Sequence, residues 1–214
     1  MDEGRIESNG HKTICLAFTG ASGMIYGIRL LECLLAAGCH VKLLYSPAAR
    51  IVARQEMALE LPAEPAGAET FFRARCAETR GTLAVFGHEE WAAPLASGSN
   101  PPDAMIVCPC SLGTLAAIAQ GLADNLIERA ADVLLKERRK LILVPRETPF
   151  SAIHLENMLR LAHAGAVILP PNPGFYHHPR RVDDLVDFVV ARLLDQVGVP
   201  HSLMPRWGEP GDGL

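Results

Sequence analysis

The chain has 214 residues, 49% hydrophobic and 21% charged, with 24 acidic against 20 basic side chains for a formal charge of −4. That length suffices for one domain with a full core, and the composition excludes a chain too polar to collapse. No block of like charge is long enough for nucleic-acid or membrane-surface binding; the short KERRK at 136–140 reads as a solvated helix end, where cations suit the C-terminal dipole.

Residues 1–12 (MDEGRIESNGHK) are polar, lack the apolar run of a signal peptide, and read as a loose, disordered extension. From there short apolar runs alternate with helical periodicity, the pattern of a parallel-sheet α/β domain over 13–196. The predicted strands are 13–19, 40–45, 82–86, 104–108, 140–145 and 166–169; AMIVC and KLILV are apolar throughout, as strands covered on both faces should be. The predicted helices are 24–37, 47–57, 111–119, 125–138, 151–163 and 182–195. Two stretches read as loops: 58–81, around a short helix near 69–76, and 92–103 (AAPLASGSNPPD), expected to lie over the carboxyl edge of the sheet, where doubly wound folds bind ligands. The tail 197–214 sets Leu, Met and Trp among Pro and Gly, which predicts docking on its own domain or on a neighbouring subunit. Six cysteines, at 15, 33, 39, 76, 108 and 110, show no CxxC and no zinc spacing, so they read as reduced thiols of a cytosolic protein. No window reaches the roughly 18 apolar residues of a membrane span.

The informative stretch is FTGASGMIYG (18–27), which follows the strand-like TICLA. Gly20, Gly23 and Gly27 fit neither GxGxxG nor GxxxxGK[ST]. A short-chain dehydrogenase would need Tyr-x-x-x-Lys, and none of Tyr26, Tyr45 and Tyr176 has Lys four residues on. A strand, a tight turn, the Ser22 hydroxyl and free helix N–H groups suit a mononucleotide phosphate, although the same turn also serves without a ligand. VCPCSLGTLAAIAQG (107–121) repeats the design with Ser111, Gly113 and Thr114, where Ser111 can also be a plain N-cap. Two such turns in one parallel sheet can set N–H groups on both sides of one crevice, as a phosphate plus a planar ring would need.

The charged candidates are less decided. Arg129 and Lys136 are two helical turns apart and share a face, as surface residues or as an anion clamp. Arg146 and Glu147 stand at the end of the strand LILV, as a loop ion pair or as an active-site pair; Tyr176 lies in a loop leading to a helix that carries Arg192. Trp91 and Trp207 both fall in irregular segments, which suit a core, a lid or a stacking wall.

Taken together, TGASGMIYGIRLLE, CPCSLGTLAAIA, LIERAADVLLKERRKLILVPRETPFS, IHLENMLRL, GAVILPPNPGFYHHP and the PRWGE of the tail resemble the UbiX-type flavin prenyltransferases, over about residues 12 to 209. The resemblance implies one Rossmann-like, flavodoxin-like three-layer α/β/α domain that binds FMN at subunit contacts in a homo-dodecamer. It also implies transfer of a dimethylallyl group from dimethylallyl phosphate to N5 and C6 of reduced FMN, without a metal. The product, prenylated FMN, would serve a UbiD-type decarboxylase. Carried over by position, FMN contacts are expected from Gly20, Ala21, Ser22, Ser46, Ser111, Leu112, Gly113, Thr114 and Arg146. Tyr176 and Arg192 are expected on dimethylallyl phosphate, with Arg129 and Lys136 beside its leaving phosphate. Glu147 is the candidate for proton handling near the phosphate and Glu56 for removal of the ring proton, while Trp91 and Trp207 would wall the allyl cation. The competing readings are an FMN-dependent decarboxylase of an aromatic acid or a peptidyl cysteine, and a flavin carrier without chemistry. The first would show a Pro-x-Met-Asn motif where this chain has PPNPGF, and the second has no use for the cationic set.

Overall fold

The computed structural model describes residues 12–76 and 79–206; Trp207 and the N-terminal extension through residue 11 lie outside the described residues. Strands β1 (Thr13–Phe18), β2 (His40–Tyr45), β3 (Thr82–Val85), β4 (Ala104–Cys110), β5 (Lys140–Pro145) and β6 (Val167–Ile168) form one sheet. Its order is β3-β2-β1-β4-β5-β6, and every pairing is parallel. Helices α1 (Met24–Ala36), α2 (Pro47–Met57), α3 (Pro65–Arg75), α4 (Leu112–Gln120), α5 (Leu126–Lys136), α6 (Ala152–His163) and α7 (Val182–Val197) cover both faces.

Alternation along each strand builds the two cores. In β1, Ile14, Leu16 and Phe18 face the layer of α1, α2, α3 and α7, while Cys15 and Ala17 face α4, α5 and α6. Strand β4 divides likewise, with Ile106 and Cys108 on one side and Met105, Val107 and Cys110 on the other. A sheet buried on both faces needs apolar residues at every position, which is why these strands read as unbroken apolar runs. Right-handed crossovers send β1→β2→β3 one way across the sheet, and β4→β5→β6 the other way. Helix α7 then returns beside α1, tied by the paired hydrogen bonds of Arg29 to Asp187 at 2.7 and 3.1 Å.

Three departures from the sequence reading have local causes. Helix α3 begins at Pro65, ahead of the expected 69–76, because proline at the first helical position loses no intrahelical bond. Strand β4 continues past Cys108 through Pro109 to Cys110, with a register shift between Val107 and Cys110. Segment 92–103 does not cover the carboxyl edge. Its 3₁₀ turn Pro94–Ala96 lies along α5 with Leu95 wholly buried, and Asp103 N–H meets Thr13 O where β1 begins.

Helix α1 approaches β4 closely at Gly27. A Cβ there would sit 2.4 Å from Cys108 O and 2.8 Å from the Phe18 ring, and a backbone carbonyl cannot move aside. Gly27→Ala is expected to cost about 2–3 kcal/mol and lower Tm by roughly 5–10 °C. Thermal unfolding checks this, and an unchanged midpoint contradicts the packing described.

Candidate active site

Strands β1 and β4 are neighbours, and the chain leaves their carboxyl ends in opposite directions. This is the switch point of a doubly wound sheet, and it opens a crevice between the turn after β1 and the turn after β4. One residue joins the two turns. Thr19, 1% exposed, donates its N–H (3.2 Å) and its hydroxyl (2.9 Å) to Pro109 O, and the same hydroxyl accepts from Ser111 N–H at 2.7 Å. The third strand end joins through Ser46 N–H, which donates to Phe18 O at 3.0 Å.

Three helices therefore start around one crevice, and each start is handled differently. At α1 the carboxylate of Glu56, reaching back from the end of α2, accepts from Gly23 N–H at 3.0 and 3.2 Å and from Met24 N–H at 3.0 Å. An acid already fills that N-terminus, so a phosphate is excluded from it. At α2, Ser46 caps Ala49 N–H at 3.2 Å. At α4, Ser111 accepts from Thr114 N–H at 3.3 Å and its hydroxyl meets Thr114 Oγ1 at 3.0 Å. The N–H groups of Leu112 and Gly113 have no partner among the described residues, and a Cβ at Gly113 would meet nothing within 4 Å. This is the open anion end of the crevice. Beneath it, burial pushes the Cys110 thiol up to about 12 and the Cys108 thiol up as well, so the strand end adds no negative charge.

The turn after β1 brings Gly20, Ala21 and Ser22 to the opposite wall. A Cβ at Gly20 would come within 2.5 Å of Ala48 Cβ, so a residue without a side chain lets this turn meet the start of α2. Arg146 N–H donates to Cys110 O at 3.4 Å, which sets Arg146 and the following Glu147 at the same edge, both exposed. Glu147 accepts from Thr148 N–H at 3.1 Å. Donors for a phosphate, the Ser22, Ser46, Ser111 and Thr114 hydroxyls, and the apolar flanks Ala21 and Leu112 fit a flavin mononucleotide.

Lys136 and Arg192 lie away from this edge within one chain. Helix α5 descends from the carboxyl edge, so Lys136 at its last turn lies about 15 Å down the helix, near the amino ends of the strands. Lys136 pairs with Glu137 beside Gly98, and Arg129 donates to Ala96 O at 3.0 Å and to Asp132 at 2.7 Å. Arg192 lies about 15 Å along α7, whose far end receives Lys12 and Lys140 from the starts of β1 and β5. Tyr176 is on the exposed loop before α7, and Trp91 is half exposed at the start of the 92–103 segment.

The family model described as Flavoprotein matches residues 4–194. The flavin prenyltransferase UbiX of Pseudomonas aeruginosa is 57% identical over 201 residues, spanning 94% of this chain and 96% of the relative. The chain belongs to the UbiX-type flavin prenyltransferases. Among solved members, AnUbiX (PadA1) in complex with FMN and dimethylallyl pyrophosphate superposes with a TM-score of 0.82 at 41% identity, over 94% of this chain and 99% of that one. A dodecameric FMN-dependent Ubix-like decarboxylase from Escherichia coli O157:H7 gives 0.79 at 42% identity, over 92% and 100%.

Sequence reasoning missed Thr19. A threonine at the end of an apolar strand is unremarkable in sequence, and only the adjacency of β1 and β4 reveals its two partners. For this flavin prenyltransferase, Thr19→Val leaves Ser111 N–H without an acceptor, at about 1–3 kcal/mol. Flavin affinity is expected to fall about tenfold or more, as measured by fluorescence quenching; an unchanged Kd contradicts the role assigned to the staple.

Proposed function

We propose that this chain transfers the dimethylallyl group of dimethylallyl phosphate to reduced FMN, yielding prenylated FMN and inorganic phosphate, and that several copies of the chain complete each site. The observation that carries the reading is the crevice itself: free N–H groups at the start of α4 and four hydroxyls around it, with α1's N-terminus reserved by Glu56. Reduced FMN supplies the nucleophilic N5 and C6 that take up the two ends of the allyl group.

The chain's own residues do the rest. Leu112, Gly113 and Thr114 hold the FMN phosphate at the helix start, Ser46 and Arg146 close round it, and Ser22 faces the ring edge. The substrate phosphate leaves as an anion, and fixed cations lower that barrier by meeting charge where it develops. Arg129, Lys136 and Arg192 are the cations for it, with Tyr176 as a hydroxyl donor. Trp91 and Trp207 supply π faces for the cationic carbon and exclude water. Glu147 moves a proton at the phosphate. Glu56, already fixed on the turn that carries Ser22, removes the ring proton.

Because Lys136 and Arg192 lie about 15 Å along their helices from the crevice edge of their own chain, they serve a neighbour's crevice. An assembly also accounts for the exposed Ile153, Leu155 and Leu159 on α6 and for Phe175 and Val182 around the 169–181 loop. The dodecameric relative supports twelve copies. The recipient of the product is a UbiD-type decarboxylase in the same compartment, the cytosol. No helix among the described residues is long and apolar enough to cross a membrane.

A second reading, direct FMN-dependent decarboxylation, takes support from the name of the Escherichia coli relative. Incubation with reduced FMN and dimethylallyl phosphate separates the two, since a flavin heavier by a five-carbon unit forms only in the prenyl transfer. Glu147→Gln is expected to keep FMN bound while slowing formation of that adduct by about 10²- to 10⁴-fold. Undiminished adduct formation contradicts the assignment of Glu147.

A further inference from the structure

The segment after α7 turns back onto the helix. Val199 N–H donates to Leu194 O at 3.0 Å, and Leu203 packs against the core that α7 shares with α1. At the centre of this seat is Asp195. Its Oδ2 accepts from Arg192 Nη1 at 2.9 Å, and its Oδ1 accepts from Arg206 Nη2 at 3.3 Å and lies 3.2 Å from His201 Nε2. The His201 side chain is only 7% exposed, and its Nδ1 is buried without a partner among the described residues. Nε2 is therefore the polar tie of that ring to the helix.

We infer that Asp195 is a positioning residue for the prenyl-phosphate site, fixing the guanidinium of Arg192 while it fastens the C-terminal segment through His201 and Arg206. The inference rests on the assignment of Arg192 to the substrate phosphate made above. Three partners from two elements meet on one carboxylate that is 23% exposed, which an isolated surface pair on a helix does not provide. Arg192 spends one of its five N–H donors on Asp195, so the rest of the fork stays free for a phosphate. The carboxylate's repulsion of that phosphate is outweighed, because two guanidinium charges stand against one negative charge and leave the cluster net positive. The fork would otherwise sample several rotamers and lose that freedom on each binding event.

The test is steady-state kinetics of Asp195→Asn with FMN and dimethylallyl phosphate. Asparagine keeps the shape and can still accept from His201 but loses the charge that holds Arg192. KM for dimethylallyl phosphate is expected to rise about three- to fivefold with kcat within about twofold. FMN affinity stays unchanged because the crevice lies elsewhere, and Tm stays unchanged because the asparagine keeps the tie to His201. Arg206→Gln, at a more exposed side chain, moves KM the same way by a smaller factor. If Asp195 were only a counter-charge near the anion, neutralising it would lower KM, and that result or an unchanged KM overturns the inference. A parallel loss of Tm and FMN affinity overturns it too, by showing a purely structural role. Failure of the wild-type chain to form the five-carbon adduct while binding FMN would instead strike the assignment of Arg192 on which it rests.

Discussion

The hydroxyl of Thr19 holds two strand ends in register where a parallel sheet would otherwise open. At the switch point the connections leave β1 and β4 toward opposite faces, and the backbone groups there need partners from across the gap. Thr19 satisfies Pro109 O and Ser111 N–H with one side chain. The starts of α1 and α4 are thereby fixed against each other without filling the space between them. Every feature of the crevice depends on this: the Gly20 approach to α2, the Ser111 cap, and the free N–H groups of Leu112 and Gly113.

The same architecture divides the labour of the site. Helices that start at the carboxyl edge end at the amino edge, so residues late in α5 and α7 are carried away from the crevice of their own chain by about 15 Å. On the proposed assignment the FMN donors lie at one end of the domain and Lys136 and Arg192 toward the other, so another copy would bring them together. A site built this way needs its long cations held before assembly. On the proposed roles, Arg129 on Ala96 O and Asp132, and Arg192 on Asp195, would meet that need.

The architecture was largely legible because a two-face sheet writes itself as apolar runs: β2 and β5 match the reading residue for residue, as does α2. The misses have physical reasons. Pro65 reads as a breaker but is favourable at a helix start, and Pro109 reads as the end of β4 because it cannot donate to a ladder, yet the strand runs one residue beyond it to Cys110. Segment 92–103 reads as irregular and is expected over the carboxyl edge, whereas buried Ala93 and Leu95 anchor it along α5. Of the candidate site, the strand-turn-helix signatures pointed to Ser22, Ser111, Gly113 and Thr114, since their geometry is local, whereas Ser46 and Leu112 came from the family resemblance. The spacing of Arg129 and Lys136 gave a shared face but not its direction, and nothing in the sequence marks Thr19 or Asp195, whose partners are distant or belong to a tail without regular structure. Trp207 lies outside the described residues, so its placement stays an expectation from sequence.

The claim that the crevice of one copy is completed by cations of another is tested most directly by mixing two defective chains. Glu147→Gln removes a group at the crevice edge, and Lys136→Met removes a cation at the far end of α5. Co-expressed as mixed oligomers, the two variants are expected to regain a clear fraction of wild-type prenylated FMN formation, because some sites then pair an intact Glu147 with an intact Lys136. Activity no greater than that of either variant alone would contradict the account.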